Sequence, residues 1–193
     1  MDTFVSRLPV SQPQEHPMAC CCKDREKKTA ESGSICEARI DFVFPEVKFP
    51  SKKVYLAAGE ELLRKLVEVH HENLMKSKIH YLFPTSHEQL RSLVKRSADF
   101  VVEMCGGPPY YTLTRGEPKM RARHFSVTID EKAREIWLAC YKHALKDVHF
   151  PLSVLEEFWQ WIESFSIRMI NRRTTLEPPR RVPYSEIQDF FVS

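Results

Sequence analysis

The stretch GGPPYYTLTRGEPKMRARH, residues 106–124, interrupts a sequence that otherwise has a helical pattern. Its Gly-Gly-Pro-Pro start ends the preceding helix, and neither a helical nor a strand period is visible from Tyr110 to Thr128. The segment is also basic, with arginine or lysine at positions 115, 119, 121 and 123. We therefore predict a long loop, or a loop with one helical turn, and loops of this length within a domain often carry function.

Amphipathic helices are predicted on both sides of this loop, because apolar residues there repeat every three or four positions. The expected helices cover approximately residues 59–75, 86–105, 130–150 and 151–172. Asp130 is expected to cap the third helix, and Pro151 to be the first residue of the fourth. With only 5 glycines and no clear alternation of strand length, the chain is predicted to be all-α.

The ends of the chain differ from this helical region. Residues 1–38 are polar and without an apolar period, and we predict a disordered leader. Residues 39–53 are expected to form an extended strap, because Pro45 and Pro50 disfavour a helix there. Residues 54–172 form the predicted domain, and 173–193 a C-terminal tail in which Tyr184, Ile187 and Phe190 can dock as one amphipathic turn.

Composition excludes several classes of protein. No apolar run reaches the length of a membrane-spanning helix, and the N-terminus lacks the apolar stretch of a secretory signal, so we expect a cytoplasmic protein that does not bind membranes. A net charge of +3 is too small to indicate nucleic-acid binding. The three cysteines at 20–22 lack the C-x-x-C spacing of a metal site, and we interpret all six cysteines as thiols.

A specific set of motifs lies in and after the quoted stretch. It consists of G-G-P with a following aromatic residue, R-G-x-P at Arg115–Pro118, R-x-R-H at Arg121–His124, and Trp137 thirteen residues after the histidine. This pattern strongly resembles the truncated haemoglobins of the second group, without a gap from residue 106 to about residue 141. The resemblance implies a two-over-two helical sandwich that carries b-type haem.

The haem ligand implied by this resemblance is His124. A haem iron needs an axial donor with a lone pair at neutral pH, and imidazole supplies one. The guanidinium groups of Arg121 and Arg123 can each pair with one of the two haem propionates through two hydrogen bonds. The alternative interpretation is that both arginines belong to a solvated basic loop. In the resembled group Trp137 points at the iron-bound ligand, and the alternative is a core tryptophan whose N–H bonds a backbone carbonyl.

The distal side departs from the family at His70-His71, where the second group has a Phe-Tyr pair whose tyrosine donates a hydrogen bond to bound oxygen. Alignment from Val67 places His71 at the position of the family's tyrosine, whereas alignment from Phe83 places His70 at that position. We favour His71. Since consecutive helical residues point about 100° apart, we expect one histidine to face the iron and the other to face solvent. That imidazole either ligates iron or acts as a hydrogen-bond partner, and we favour the second.

Further pocket residues are implied on the neighbouring segments. Leu93 occupies the position of the family's usual distal histidine, and Ser97 lies on the same face of the predicted helix. The other residues expected to contact the haem are Phe83, Phe100, Val101, Tyr111 and Met120.

The function implied by the resemblance is reversible binding of oxygen or other diatomic ligands. One alternative is a haem enzyme that turns over nitric oxide or peroxide with electrons from a reductase partner. Another alternative, from a different class, is a haem-free helical module that binds a partner through its leader or tail. Absorption spectra, together with assays of steady turnover with an electron donor, distinguish these three functions.

Overall fold

Residues 43–192 are described by a computed structural model, and within that range every regular element is helical, as predicted. The predicted leader and its three adjacent cysteines lie outside the described residues. The helices are α1 (Lys52–Met75), α2 (His87–Met104), α3 (Tyr110–Arg115), α4 (Met120–Arg123), α5 (Glu131–Asp147), α6 (Leu152–Met169) and α7 (Gln188–Val192). Two 3₁₀ turns, His80–Leu82 and Tyr184–Glu186, precede α2 and α7.

Helix α1 begins seven residues before the start predicted at Gly59. Residues 43–50 have no regular secondary structure, whereas Lys52 and Lys53 are already helical. Gly59 interrupts α1 with φ 74° and ψ 164°, a conformation that glycine adopts without the steric cost of a Cβ. The apolar period becomes regular only after this break, and for that reason the sequence pattern predicted the later start.

The region predicted as a loop contains two short helices, so the prediction of at most one helical turn was wrong. Helices α3 and α4 are six and four residues long, too short for an apolar period to be visible in sequence. Gly116, at φ 69°, separates them. The carboxylate of Glu103 in α2 accepts hydrogen bonds from the backbone N–H (2.8 Å) and the hydroxyl of Thr112, which holds α3 against α2.

The long helices pack as two pairs, α1 with α2 and α5 with α6, and α1 also packs against α5 and α6. Asp130 caps α5 as predicted, since its Oδ1 accepts a hydrogen bond from Ala133 N at 2.7 Å. Pro151 precedes α6 as its N-cap residue rather than being its first helical residue. The largest fully buried side chains of the described residues lie on α6 and are those of Phe158, Trp159 and Trp161.

The C-terminal segment is held on α6 by a buried ion network. Arg134 donates from Nη2 to Glu163 Oε1 at 2.7 Å, and Arg181 donates from Nη2 to Glu163 Oε2 at 2.8 Å. The indole N–H of Trp159 donates to the carbonyl of Val182 at 2.8 Å. Residues 180–182 therefore contribute bonds to the interior of the domain and are part of its folded structure.

Helices suited to crossing a membrane are absent from residues 43–192: none is both long and apolar enough. The two cysteines of this range, Cys105 and Cys140, are free thiols, as the cysteine spacing predicted.

A second anchor of the C-terminal segment, at Glu131, predicts a pH dependence of stability. Burial alone would raise the pKa of this carboxyl, but hydrogen bonds from Thr174 and Arg173 outweigh burial and lower the pKa to about 2. Because the folded-state pKa lies below the unfolded value, the stabilisation is complete above about pH 5 and is lost between about pH 5 and pH 2. Glu131→Gln is therefore expected to be less stable than the wild type at pH 7, with a difference that shrinks towards pH 2.

Denaturant unfolding at several pH values measures this difference. Glu68→Gln is the control, because Glu68 pairs with Lys65 on the exposed side of α1 and exposed pairs contribute little. A Glu131→Gln deficit that stays constant from pH 7 to pH 2 would contradict the assignment.

Candidate functional site

A mostly apolar cavity lies among α1, α2, α5, α6 and the segment around α4. Its apolar wall comes from residues of all these elements, so the cavity exists only when the two helix pairs are packed together. Ten residues singled out in the sequence line it, namely His70, His71, Phe83, Leu93, Ser97, Phe100, Val101, Met120, His124 and Trp137.

His124 immediately follows α4 and reaches the cavity with a defined tautomer. Its Nδ1 is 2.7 Å from the carbonyl oxygen of Met120, and because a carbonyl can only accept, Nδ1 carries the proton and donates. In the neutral ring the lone pair is therefore on Nε2. A hydrogen bond from the far nitrogen that fixes tautomer and ring orientation is the usual support of a metal-binding histidine.

Asn171, just beyond α6, holds the segment around His124 in place. Its Nδ2 donates to the carbonyls of His124 (2.9 Å) and Val127 (2.7 Å), and its Oδ1 accepts from Ile129 N at 2.9 Å. Sequence reasoning missed this residue, because a lone asparagine after a helix has no distinctive spacing. These three hydrogen bonds connect the segment around His124 to the end of α6.

Both histidines of α1 are buried, so the expectation that one of them faces solvent was wrong. His70 is 2% and His71 7% exposed, and both line the cavity. Helix α1 packs against α2 on one side and α5 on another, so two side chains about 100° apart are both covered. Burial lowers the pKa of His71, and burial together with the neighbouring His71 lowers the pKa of His70 well below its usual range.

Trp137 lies on the cavity wall with its indole N–H available. No acceptor within residues 43–192 bonds this N–H, whereas the indole of Trp159 donates to a backbone carbonyl. His70 lies edge-on to the Trp137 ring, with centroids 4.9 Å apart, and its Nε2–H donates to the Trp137 carbonyl oxygen at 3.3 Å. The carbonyl-bonded core tryptophan considered from sequence is therefore not what the structure shows.

Three residues expected to contact the cofactor, Tyr111, Arg121 and Arg123, do not line the cavity. The guanidinium of Arg123 instead donates to the carbonyls of residues 115, 117 and 118, at 2.8, 3.3 and 3.0 Å, because the turn between α3 and α4 leaves these acceptors unpaired. Arg121 is exposed and lies over the ring of Phe44 at 5.1 Å. The hydroxyl of Tyr111 faces the sulfur of Met120 at 3.6 Å.

Apart from Trp137, the cavity residues on α5 and α6 were not singled out from the sequence. Tyr141, Trp161, Phe165 and Ser166 all contribute to the wall. Their apolar stripe has the same spacing as an ordinary core helix, so the sequence holds no signal that separates the two roles. Trp161 is distinctive, because its buried indole N–H has no partner in the part of the chain that the structure describes.

Comparison with known proteins identifies the class to which this fold and cavity belong. A family model described as bacterial-like globin matches residues 54–171. The group 2 truncated haemoglobin YjbI of Bacillus subtilis (strain 168) is 31% identical over 118 residues, which is 61% of this chain and 88% of the relative.

Solved structures show the same relationship. The group II truncated haemoglobin of Bacillus anthracis aligns with a TM-score of 0.59 and 26% identity, over 62% of this chain and 97% of that one. The truncated oxygen-avid haemoglobin of Bacillus subtilis aligns with a TM-score of 0.57 and 31% identity, over 61% of this chain and 98% of that one. The chain belongs to the bacterial-like globins, as a group II truncated haemoglobin with the two-over-two helical fold.

The family implies a haem-binding globin, and the residues present fit that group. The cavity offers imidazoles as donors, among them that of His124, whose Nδ1 is bonded to Met120 O. Aromatic and aliphatic side chains surround it, and an apolar wall of this kind suits a flat, largely apolar ring.

Proposed function

We propose that this globin reversibly binds oxygen or other diatomic ligands through a b-type haem ligated by His124. The observation that carries the proposal is the His124 imidazole, held by Met120 O so that its Nε2 lone pair is free, on the wall of an apolar cavity. Bound haem supplies an iron coordination position that small ligands can occupy. The solved relative from Bacillus subtilis, which is described as oxygen-avid, supports oxygen as a ligand.

The other cavity residues have separate roles in this proposal. Phe83, Phe100, Val101 and Met120 line the cavity and would contact the haem and exclude water. Trp137 offers its indole N–H to a polar diatomic ligand. Arg121, exposed beside Phe44, is proposed to bind a propionate at the surface, while Arg123 stabilises the turn between α3 and α4 that precedes His124.

Absorption spectra of the purified protein in the ferric, ferrous and CO-bound states test the proposal. We expect a Soret band after haem addition and a ferrous spectrum that changes when CO is added. If no Soret band forms, the chain is instead a haem-free interaction module on a globin scaffold. Steady turnover of nitric oxide or peroxide with an electron donor would indicate the enzyme alternative and its reductase partner.

Trp137→Phe is expected to accelerate oxygen release, because the ring remains while the only indole donor assigned to the ligand is lost. A hydrogen bond of about 1 to 3 kcal/mol corresponds to a roughly 5- to 150-fold faster dissociation when the association rate is unchanged. Stopped-flow measurement of oxygen dissociation tests this.

Trp159→Phe is the matched control, since it removes the same donor from an indole that bonds Val182 O outside the cavity lining. We expect the control to lower stability without changing the release rate. Equal release rates for Trp137→Phe and the wild type, within twofold, would show that the Trp137 indole does not contact the ligand.

A further inference from the structure

His71 and His124 hold their imidazoles in the same way. The Nδ1–H of His71 donates to Val67 O at 2.7 Å, and the Nδ1–H of His124 donates to Met120 O at 2.7 Å. In both cases the acceptor is the carbonyl four residues earlier, which can only accept. Both rings therefore leave Nε2 without a proton in their neutral form, and both rings line the same cavity.

The surroundings of His71 favour the neutral ring. The residue is 7% exposed, and its cavity neighbours are mainly apolar, with Phe83 edge-on at a centroid distance of 6.1 Å. On its other side the ring borders a groove that Glu68 and Glu72 also line, but its hydrogen bond within the described residues is the one to Val67 O. The Nε2 of His71 is consequently an acceptor or a metal ligand, and it has no proton to donate to a bound diatomic molecule.

His70 has the opposite arrangement, although it is the adjacent residue. Its Nε2–H donates to the Trp137 carbonyl, and its ring packs on Tyr141 with centroids 4.0 Å apart. These contacts fix the ring between α1 and α5. His70 therefore packs α1 against α5 and positions Trp137, and its Nε2 is already committed.

We propose that His71 is a second haem-ligating residue, so that with haem loaded and no external ligand present the Nε2 atoms of His71 and His124 would both bind the iron. This inference rests on the proposed haem function. It reverses the expectation from sequence, where the distal imidazole was favoured as a hydrogen-bond partner, because the tautomer removes the proton that such a partner would donate. A dative bond forms from the His71 lone pair, and no proton or electron is transferred.

An external ligand would then have to displace the His71 imidazole before it could bind. The imidazole keeps its Nδ1 bond to Val67 O, so it remains close to the iron and competes for the position. The rate of CO binding should therefore reach a plateau at high CO concentration, set by dissociation of His71 from the iron. Trp137 remains the donor for a bound oxygen molecule.

The test uses the full-length protein loaded with haem, with His71→Leu and His70→Leu as matched variants of adjacent buried histidines. We expect a low-spin ferric wild type by absorption and electron paramagnetic resonance, and a high-spin His71→Leu protein. His70→Leu should remain low-spin. CO association should lose its plateau only in His71→Leu, and His71→Gln repeats the test if the leucine variant does not fold.

A high-spin ferric wild type would overturn the inference, irrespective of the behaviour of the variants. A low-spin wild type that becomes high-spin with His70→Leu, but not with either His71 variant, would also overturn it by assigning the bond to His70. These outcomes differ from failure of the proposed function itself, in which the wild type shows no Soret band at all.

Discussion

Replacing His124 with alanine is expected to abolish stable haem uptake. The variant removes the imidazole whose Nδ1 is bonded to Met120 O and whose Nε2 is free to bind iron. Loss of a supporting residue around a metal ligand typically costs about 10- to 100-fold in affinity, so loss of the ligand itself should accelerate haem loss by more than about 100-fold. Transfer of haem to an excess of apomyoglobin measures the rate.

His80→Ala is the control for this experiment. His80 also has its Nδ1 bonded to a nearby carbonyl, that of Ser77 at 3.0 Å, but it is exposed and does not line the cavity. We expect wild-type spectra and haem retention in this variant. Wild-type ferric and ferrous CO spectra in His124→Ala would refute the ligand assignment.

Glu163→Gln is expected to lower the free energy of unfolding by about 3 to 5 kcal/mol, the usual cost of removing one partner from a buried ion pair. The side chains of Glu163 and Arg134 are 3% and 2% exposed. Glutamine keeps the shape but removes the charge that compensates the Arg134 guanidinium. The buried cation then keeps only neutral acceptors, namely the glutamine amide oxygen, the Ser166 hydroxyl and backbone carbonyls.

Denaturant unfolding of the apo- and haem-loaded proteins measures this loss. Glu186→Gln is the matched control, because its partner Arg180 is 65% exposed and Glu186 is 44% exposed, so the expected change is below about 1 kcal/mol. A similar small change for Glu163→Gln would mean that the network does not stabilise the fold.

The same variant should also weaken the attachment of the C-terminal segment. Glu163 accepts from the side chain of Arg181 and, at 3.2 Å, from the backbone N–H of Val182. Loss of this attachment exposes the backbone near residues 180–182. Trypsin should therefore cleave Glu163→Gln there faster than it cleaves the wild type.

The family and the helical class of this protein could be predicted from sequence because their signals are local. The spacing of Arg121, His124 and Trp137 is visible in the sequence alone, and so is the apolar period of each long helix. Helices as short as α3 and α4 give no such period, since each covers fewer than two turns.

The roles of neighbouring side chains required the tertiary structure. His70 and His71 are equivalent in sequence, and only packing against α2 and α5 buries both and gives them different hydrogen-bond partners. Arg123 was expected from sequence to bind a propionate, but the turn between α3 and α4 brings together the carbonyls to which its guanidinium donates.

By itself, then, the sequence determined the all-α class through helical periodicity, and through the resemblance of its motifs to the truncated haemoglobins it implied the two-over-two fold and His124 as the candidate iron ligand. The fold alone decided which nitrogen of each imidazole carries the proton, and that Glu163 connects α5, α6 and the C-terminal segment. Hydrogen-bond direction and burial depend on atoms from distant parts of the chain, and their positions are set only when the helices pack.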